Sequence, residues 1–212
     1  MTYRQHAHHD IKICVSGAAE TGSCGPHAYE LAKELGREIA RHDAVIVTGA
    51  TTGFPLWAAI GAKEVEGTSI GFSPAASERE HVEAFRLPID YMDLIIYTGF
   101  GYSGRDLILT RSSDAVLFGC GRIGTIHEFT IAFEDNKPIG ILEGDWLTDE
   151  TMKTILERSN RTYEKVVFDT NPKRLIEKII ELIKKDKAQD KMTYSYRPID
   201  EEEAGPPPQV HS

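Results

Sequence analysis

Short apolar runs alternate along this chain with longer stretches in which apolar residues recur every three or four positions. The runs are Ile11 to Ser16, Ala44 to Val47, Thr68 to Ser73, Asp93 to Thr98, Ala115 to Phe118 and Ile139 to Leu142. Continuous runs rich in Val and Ile predict strands buried on both faces. Val166 to Phe168 reads as a further, edge strand. Between the runs, Leu31, Ala32, Leu35 and Ile39 predict a helix from about Pro26 to His42, with proline in its first turn. Trp57 and Ile60 mark a helix from Phe54 to Val65, and Ile126, Phe129 and Phe133 one from Thr125 to Asn136. Met152, Ile155 and Leu156 follow a start at Leu147-Thr148. Leu175, Ile179, Leu182 and Ile183 follow Thr170-Asn171-Pro172, to about Lys187. Pro74 to Asp90, with Glu78, Arg79, Glu80 and Glu83, fits either a short helix or a surface loop. Strand and helix alternate throughout, which predicts an α/β fold: a doubly wound, mostly parallel sheet of six or seven strands with helices on both faces.

The pattern stops at both ends. Met1 to Asp10 is polar and reads as a flexible tail, with His6, His8 and His9 lacking partner ligands at defined spacing. Residues 188–212, with Asp200-Glu201-Glu202-Glu203 and Pro206-Pro207-Pro208, read as a disordered acidic, proline-rich tail. One domain, residues 11–187, lies between them.

Chemistry concentrates where the predicted strands end. After Ala115-Val116-Leu117-Phe118 come Gly119-Cys120-Gly121-Arg122-Ile123-Gly124-Thr125-Ile126-His127-Glu128. A strand, a glycine turn and a helix start make an anion site, because free backbone N–H groups and the helix dipole point the same way. Glu128 then lies beside whatever anion binds. Thr125-Ile126-His127-Glu128 also fits a capping box, in which Thr125 and Glu128 satisfy each other's amides. Both readings stand on spacing. Small-residue turns recur after Ser16 (Gly17, Ala18), after Val47 (Gly49, Ala50, Thr51, Gly53) and after Thr98 (Gly99 to Gly104). A parallel sheet gathers such turns at one edge, where ligands bind at the switch in strand order. A helix from about Ser103 to Ser113 places Arg105 in its first turn, against the dipole, where a cation can meet an anion.

Composition narrows the classes. The 212 residues carry 24 Lys+Arg against 33 Asp+Glu, a net charge of −9. That balance argues against nonspecific nucleic-acid or anionic-membrane binding. Cys14, Cys24 and Cys120 are odd in number and scattered, so the expectation is no disulfide framework, no zinc site and a reduced, cytoplasmic compartment. No apolar run approaches the roughly 20 residues of a membrane span.

Cys120-Gly121-Arg122-Ile123-Gly124-Thr125-Ile126-His127-Glu128 resembles, without a gap, the PGGxGTxxE signature of the Lonely Guy (LOG) family, often labelled "possible lysine decarboxylase". Arg105 stands where that family's MxxRK element carries its arginine, with Asp106 in place of the lysine. Gly49-Ala50-Thr51-Thr52-Gly53 is similar to the family's second glycine turn. The resemblance covers about Ile11 to Leu142. It implies a Rossmann-like fold, a homodimer, and a site for an AMP-like nucleoside 5′-monophosphate; the residues themselves lead to the expectation of no cofactor and no metal. Characterised members hydrolyse the N-glycosidic bond to free base and ribose 5-phosphate. By this reading Glu128 and Arg105 are catalytic. Gly17, Ala18, Gly49, Ala50, Thr51, Gly53, Gly121, Arg122, Gly124 and Thr125 bind substrate and phosphate. Nothing resembles a lysine-centred pyridoxal phosphate motif. The departures are Cys120 for the motif proline, Arg122 for its second glycine, and Ala18-Ala19 for serines. The expected function is the nucleoside 5′-monophosphate phosphoribohydrolase; Arg122 and the missing motif glycine favour the alternative, a noncatalytic nucleotide sensor or cofactor carrier on the same fold.

Overall fold

The apolar runs pair into one wholly parallel, seven-stranded sheet in a computed structural model that describes residues 11–193. The strands are β1 (Lys12–Ser16), β2 (Val45–Thr48), β3 (Ser69–Ser73), β4 (Leu94–Tyr97), β5 (Ala115–Phe118), β6 (Ile139–Leu142) and β7 (Val166–Asp169). Their order is β4-β3-β2-β1-β5-β6-β7. The chain builds outward from β1 on one side, then crosses back to build outward from β5 on the other. The crevice between β1 and β5 is therefore the switch point, with Ser16 level with Phe118 at its mouth.

Among the described residues, six α-helices cover the sheet: α1 (Ala28–Arg41), α2 (Phe54–Lys63), α3 (Gly101–Ser112), α4 (Ile123–Glu134), α5 (Thr148–Arg158) and α6 (Pro172–Thr193). Strand residues alternate between two cores, as a pleated strand buried on both faces requires. Ile13, Val15 and Leu117 pack with Leu35 and Ile39 of α1 and Ile179 of α6. Cys14, Val116 and Phe118 pack with Leu109 of α3, Phe129 of α4 and Met152 of α5. Cys14 is a buried free thiol, the small core residue its strand predicts.

Several boundaries move. Residues 74–90 hold a π-helical turn, Glu80–Ala84, pinned by buried His81, whose ring bonds Ser73 Oγ at 2.8 Å. Helix α3 begins at Gly101, which puts Arg105 in the second turn rather than the first. Helix α6 runs to Thr193, past the end of the apolar periodicity. Strand β4 is an edge strand with Leu94 55% exposed, not the buried strand its composition suggests. The N-terminal histidines and the acidic, proline-rich segment lie outside the described residues. No helix among the described residues is long and apolar enough to cross a membrane.

Candidate functional site

The β1 and β5 turns are joined covalently: Cys24 and Cys120 form a disulfide, with Cα atoms 5.4 Å apart. This corrects the expectation of no disulfide framework. Residues 96 apart in sequence meet because β1 and β5 are neighbours in the sheet, which a count of scattered cysteines does not register. The cysteine argument for a reducing compartment falls with it. The same two turns are tied by the Ala18 amide donating to Cys120 O at 2.7 Å, and by an exposed Arg122–Glu20 ion pair.

A cavity of about 450 Å³ opens at the switch point. Gly17 and Ala18 enter it from β1, Gly49 and Thr51 from β2, Arg105 from α3, and Arg122, Gly124, Thr125 and Glu128 from α4. The first turn of α3 sends Tyr102. Nine of the twelve residues singled out in the sequence thus share one cavity. Ala50 is fully buried behind it. Gly53 is a packing residue: its φ is +72°, and a Cβ there would fall 2.2 Å from Ala18 O. Gly121 faces away; its amide donates to Thr148 Oγ1 at 2.8 Å, so it is not offered to a phosphate.

Helix α4 starts at Ile123, with Arg122 at the N-cap; the Thr125 hydroxyl accepts from the Arg122 amide at 3.3 Å. The predicted cap is therefore set three residues early, and Glu128 does not close a capping box on Thr125. It lies one turn further in, 7% exposed, where it accepts from Ser16 Oγ close to the Asp106 carboxylate. Burial first, with Asp106 adding to it, outweighs Arg105 and Ser16 and raises the Glu128 pKa from 4.5 to about 8.

Arg105 is equally buried. Its Nε donates to Asp106 Oδ1 at 2.9 Å, and its Nη1 donates to the carbonyls of Gly49 and, at 3.2 Å, Phe72. Gly49 must be glycine here, since a Cβ would fall 1.9 Å from Nη1. Arg105 thus ties α3 to the ends of β2 and β3. Asp106 also takes the His127 ring nitrogen at 3.0 Å, which places His127 on the flank of the site. Ser16 and Asp106 escaped the sequence reading as site residues. Their signals were a hydroxyl closing an apolar strand and a carboxylate directly after Arg105.

The Glu128 carboxyl gives a pH signature. Its proton stays in the folded state while the unfolded carboxyl ionises above 4.5. The folded state then binds more protons, so this group lowers stability progressively as pH rises from about 4.5 toward 8. Glu128→Gln is expected to gain stability relative to the wild type between pH 5 and 8, read by urea unfolding at several pH values. A constant difference across that range would mean the carboxyl is not held protonated.

A seven-stranded parallel sheet, helices on both faces and a crevice lined at the strand ends define a Rossmann-like α/β protein of LOG-like type. The chain belongs to the SLOG cluster4 family, whose model matches residues 10–176. The molybdenum cofactor binding protein of the phototrophic bacterium Rippkaea orientalis is 29% identical, with a TM-score of 0.62 over 83% of this chain and 95% of that one. The molybdenum cofactor carrier protein of Chlamydomonas reinhardtii is 27% identical, with a TM-score of 0.65 over 82% and 98%. DNA processing protein A of Helicobacter pylori, described for its single-stranded DNA binding, is 19% identical with a TM-score of 0.58 over 81% and 80%, a likeness of fold alone. The sheet thus also occurs in a DNA-binding protein, and net charge by itself does not exclude nucleic acid for this chain.

Proposed function

We propose that the protein binds a phosphate-bearing, nucleotide-type ligand at the switch-point cavity and holds it without hydrolysis, as a carrier or sensor. The observation that carries this reading is the state of the two residues on which hydrolysis would depend. Most of the donor capacity of Arg105 is engaged by Asp106, Gly49 and Phe72. Glu128 holds its proton near neutrality, so it lacks the charge that would stabilise an oxocarbenium-like ribose or activate water. Arg122, 61% exposed at the start of α4 and paired with Glu20, supplies a cation for a phosphate beside the amides of Ile123 and Gly124 once it exchanges that partner. The likeness to molybdenum cofactor binding and carrier proteins supports the same reading and makes the molybdenum cofactor a ligand to test beside AMP. The exposed apolar pair Leu94 and Ile96 on edge strand β4 supports the homodimer that the resemblance implies.

The second reading is the LOG-type phosphoribohydrolase. It is favoured by the same protonated Glu128, since a neutral carboxyl can serve as a general acid toward a leaving base. One experiment separates them. Purified protein is incubated with nucleoside 5′-monophosphates while binding and release of free base are followed. Binding without release over hours is expected. Release that Glu128→Gln abolishes would establish the hydrolase. Arg122→Ala is expected to fold normally and weaken nucleotide binding about tenfold, the loss of one charge-assisted contact.

A further inference from the structure

Thr51 lines the β2 side of the switch-point cavity with a hydroxyl that the fold does not use. The residue is 8% exposed, and its hydroxyl has no hydrogen-bond partner among the described residues. The hydroxyls around it are engaged. Thr48 Oγ1 accepts from the Ala50 amide at 3.3 Å, Thr52 Oγ1 donates to the Ala19 carbonyl at 3.1 Å, and Ser16 Oγ donates to Glu128. The Thr51 hydroxyl is not sealed in the core, as the equally unpartnered Thr110 Oγ1 is; it keeps contact with the cavity. A buried hydroxyl without a partner costs stability. One that opens on a cavity points to a partner supplied by what the cavity holds.

The two sides of the cavity offer different chemistry. Strands β2 and β5 flank β1, so their ends lie two strand spacings, about 10 Å, apart. On the β5 side α4 begins, with the Ile123 and Gly124 amides free of intrahelical partners and Arg122 beside them. On the β2 side α2 begins, but it makes a poor anion cradle. The Phe54 amide donates to the Ala18 carbonyl at 2.9 Å, and Pro55 behind it has no amide hydrogen. The walls there are apolar: Ala19, Pro55 and Tyr102. The Tyr102 ring stands 5.7 Å from the Arg105 guanidinium, which bonds the Gly49 carbonyl just past the end of β2.

We propose that Thr51 recognises the ring of the ligand. The phosphate lies at the start of α4 and the sugar over Ser16 and Glu128. The ring lies at the end of β2 against Pro55 and Tyr102, with its edge hydrogen-bonded to the Thr51 hydroxyl. This rests on the reading that the cavity takes a nucleotide-type ligand. A hydroxyl both donates and accepts, so it serves a ring nitrogen, carbonyl or amino group. A flat ring suits a side that is apolar apart from that hydroxyl, and a phosphate suits the side with free amides and a cation.

The test is calorimetric titration of the full chain with AMP and with ribose 5-phosphate, which lacks the ring. The wild type is expected to bind AMP about tenfold tighter or better. Thr51→Val, similar in shape but without the hydroxyl, is expected to weaken AMP binding about three- to tenfold, the worth of one hydrogen bond, and to leave ribose 5-phosphate affinity in place. Thr51→Ser restores the hydroxyl and is expected to retain AMP affinity. The urea midpoint of Thr51→Val is expected at or above that of the wild type, because no internal partner is lost. A midpoint that falls would mean that the hydroxyl holds the fold together, and would overturn the assignment. So would AMP binding with no advantage over ribose 5-phosphate, or a Thr51→Val variant that weakens both ligands alike or neither. Binding of neither compound by the wild type would overturn both this inference and the reading beneath it.

Discussion

Arg105→Ala is expected to destabilise the protein by about 3–5 kcal/mol, the cost of leaving a buried charge without its partner. That is a large share of the roughly 5–15 kcal/mol by which domains are stable. Asp106 would remain at 5% exposure with its guanidinium gone, and the Gly49 and Phe72 carbonyls would lose a donor. The cavity opposite Gly49, shaped around Nη1, would also lose its occupant. Arg105→Lys keeps a charge but cannot reproduce a planar fork that reaches Asp106 and two carbonyls at once, so it is expected to recover only part of the loss. Urea unfolding measures both variants. If Arg105 acted only on a ligand, alanine would weaken binding and leave the unfolding midpoint in place.

Breaking the Cys24–Cys120 disulfide is expected to cost about 3–5 kcal/mol, because the bond closes a long loop and restricts the unfolded chain. The bridged residues stand 96 apart, so the closed loop spans most of the sheet's first five strands. Both cysteines are 1% exposed, and a reductant reaches them through local opening of the β1 and β5 turns. Dithiothreitol is expected to lower the unfolding temperature of the wild type by several degrees and to leave Cys24→Ser, already lowered, where it is. An unfolding temperature that neither reductant nor substitution moves would mean the two thiols are not bonded in solution. The bridge also holds residues 18–20 against the start of α4, so the reduced protein is expected to bind nucleotide more weakly.

Much of the architecture was legible before any coordinates. The strands are short and buried on both faces, so each reads as an uninterrupted apolar run. The helices bury one stripe, so each shows a helical period. Helix starts were less legible, and the errors cluster at the site. Thr125 resembles an N-cap because its hydroxyl does cap, but it reaches back to the Arg122 amide from inside the first turn. Glu128 fits a capping box in sequence, yet in the fold a buried Ser16 hydroxyl takes its place as partner. Gly53 and Gly121 looked like phosphate-binding glycines. One is required by its own φ and the Ala18 carbonyl, the other packs on Thr125, and neither faces the cavity.

By itself, then, the sequence determined that this is a parallel α/β protein with glycine-rich turns at the strand ends, and it named most of the residues that share the switch-point cavity. These follow from interactions within one helix turn or along one strand, which local pattern encodes directly. Only the tertiary structure decided what those residues do there. It paired Cys24 with Cys120, turned Arg105 inward onto Asp106, and set Glu128 beside Ser16. Each depends on β1 lying next to β5, with α3 and α5 closing over their ends. Strand order is a property of the whole packed sheet, and no local run of residues carries it.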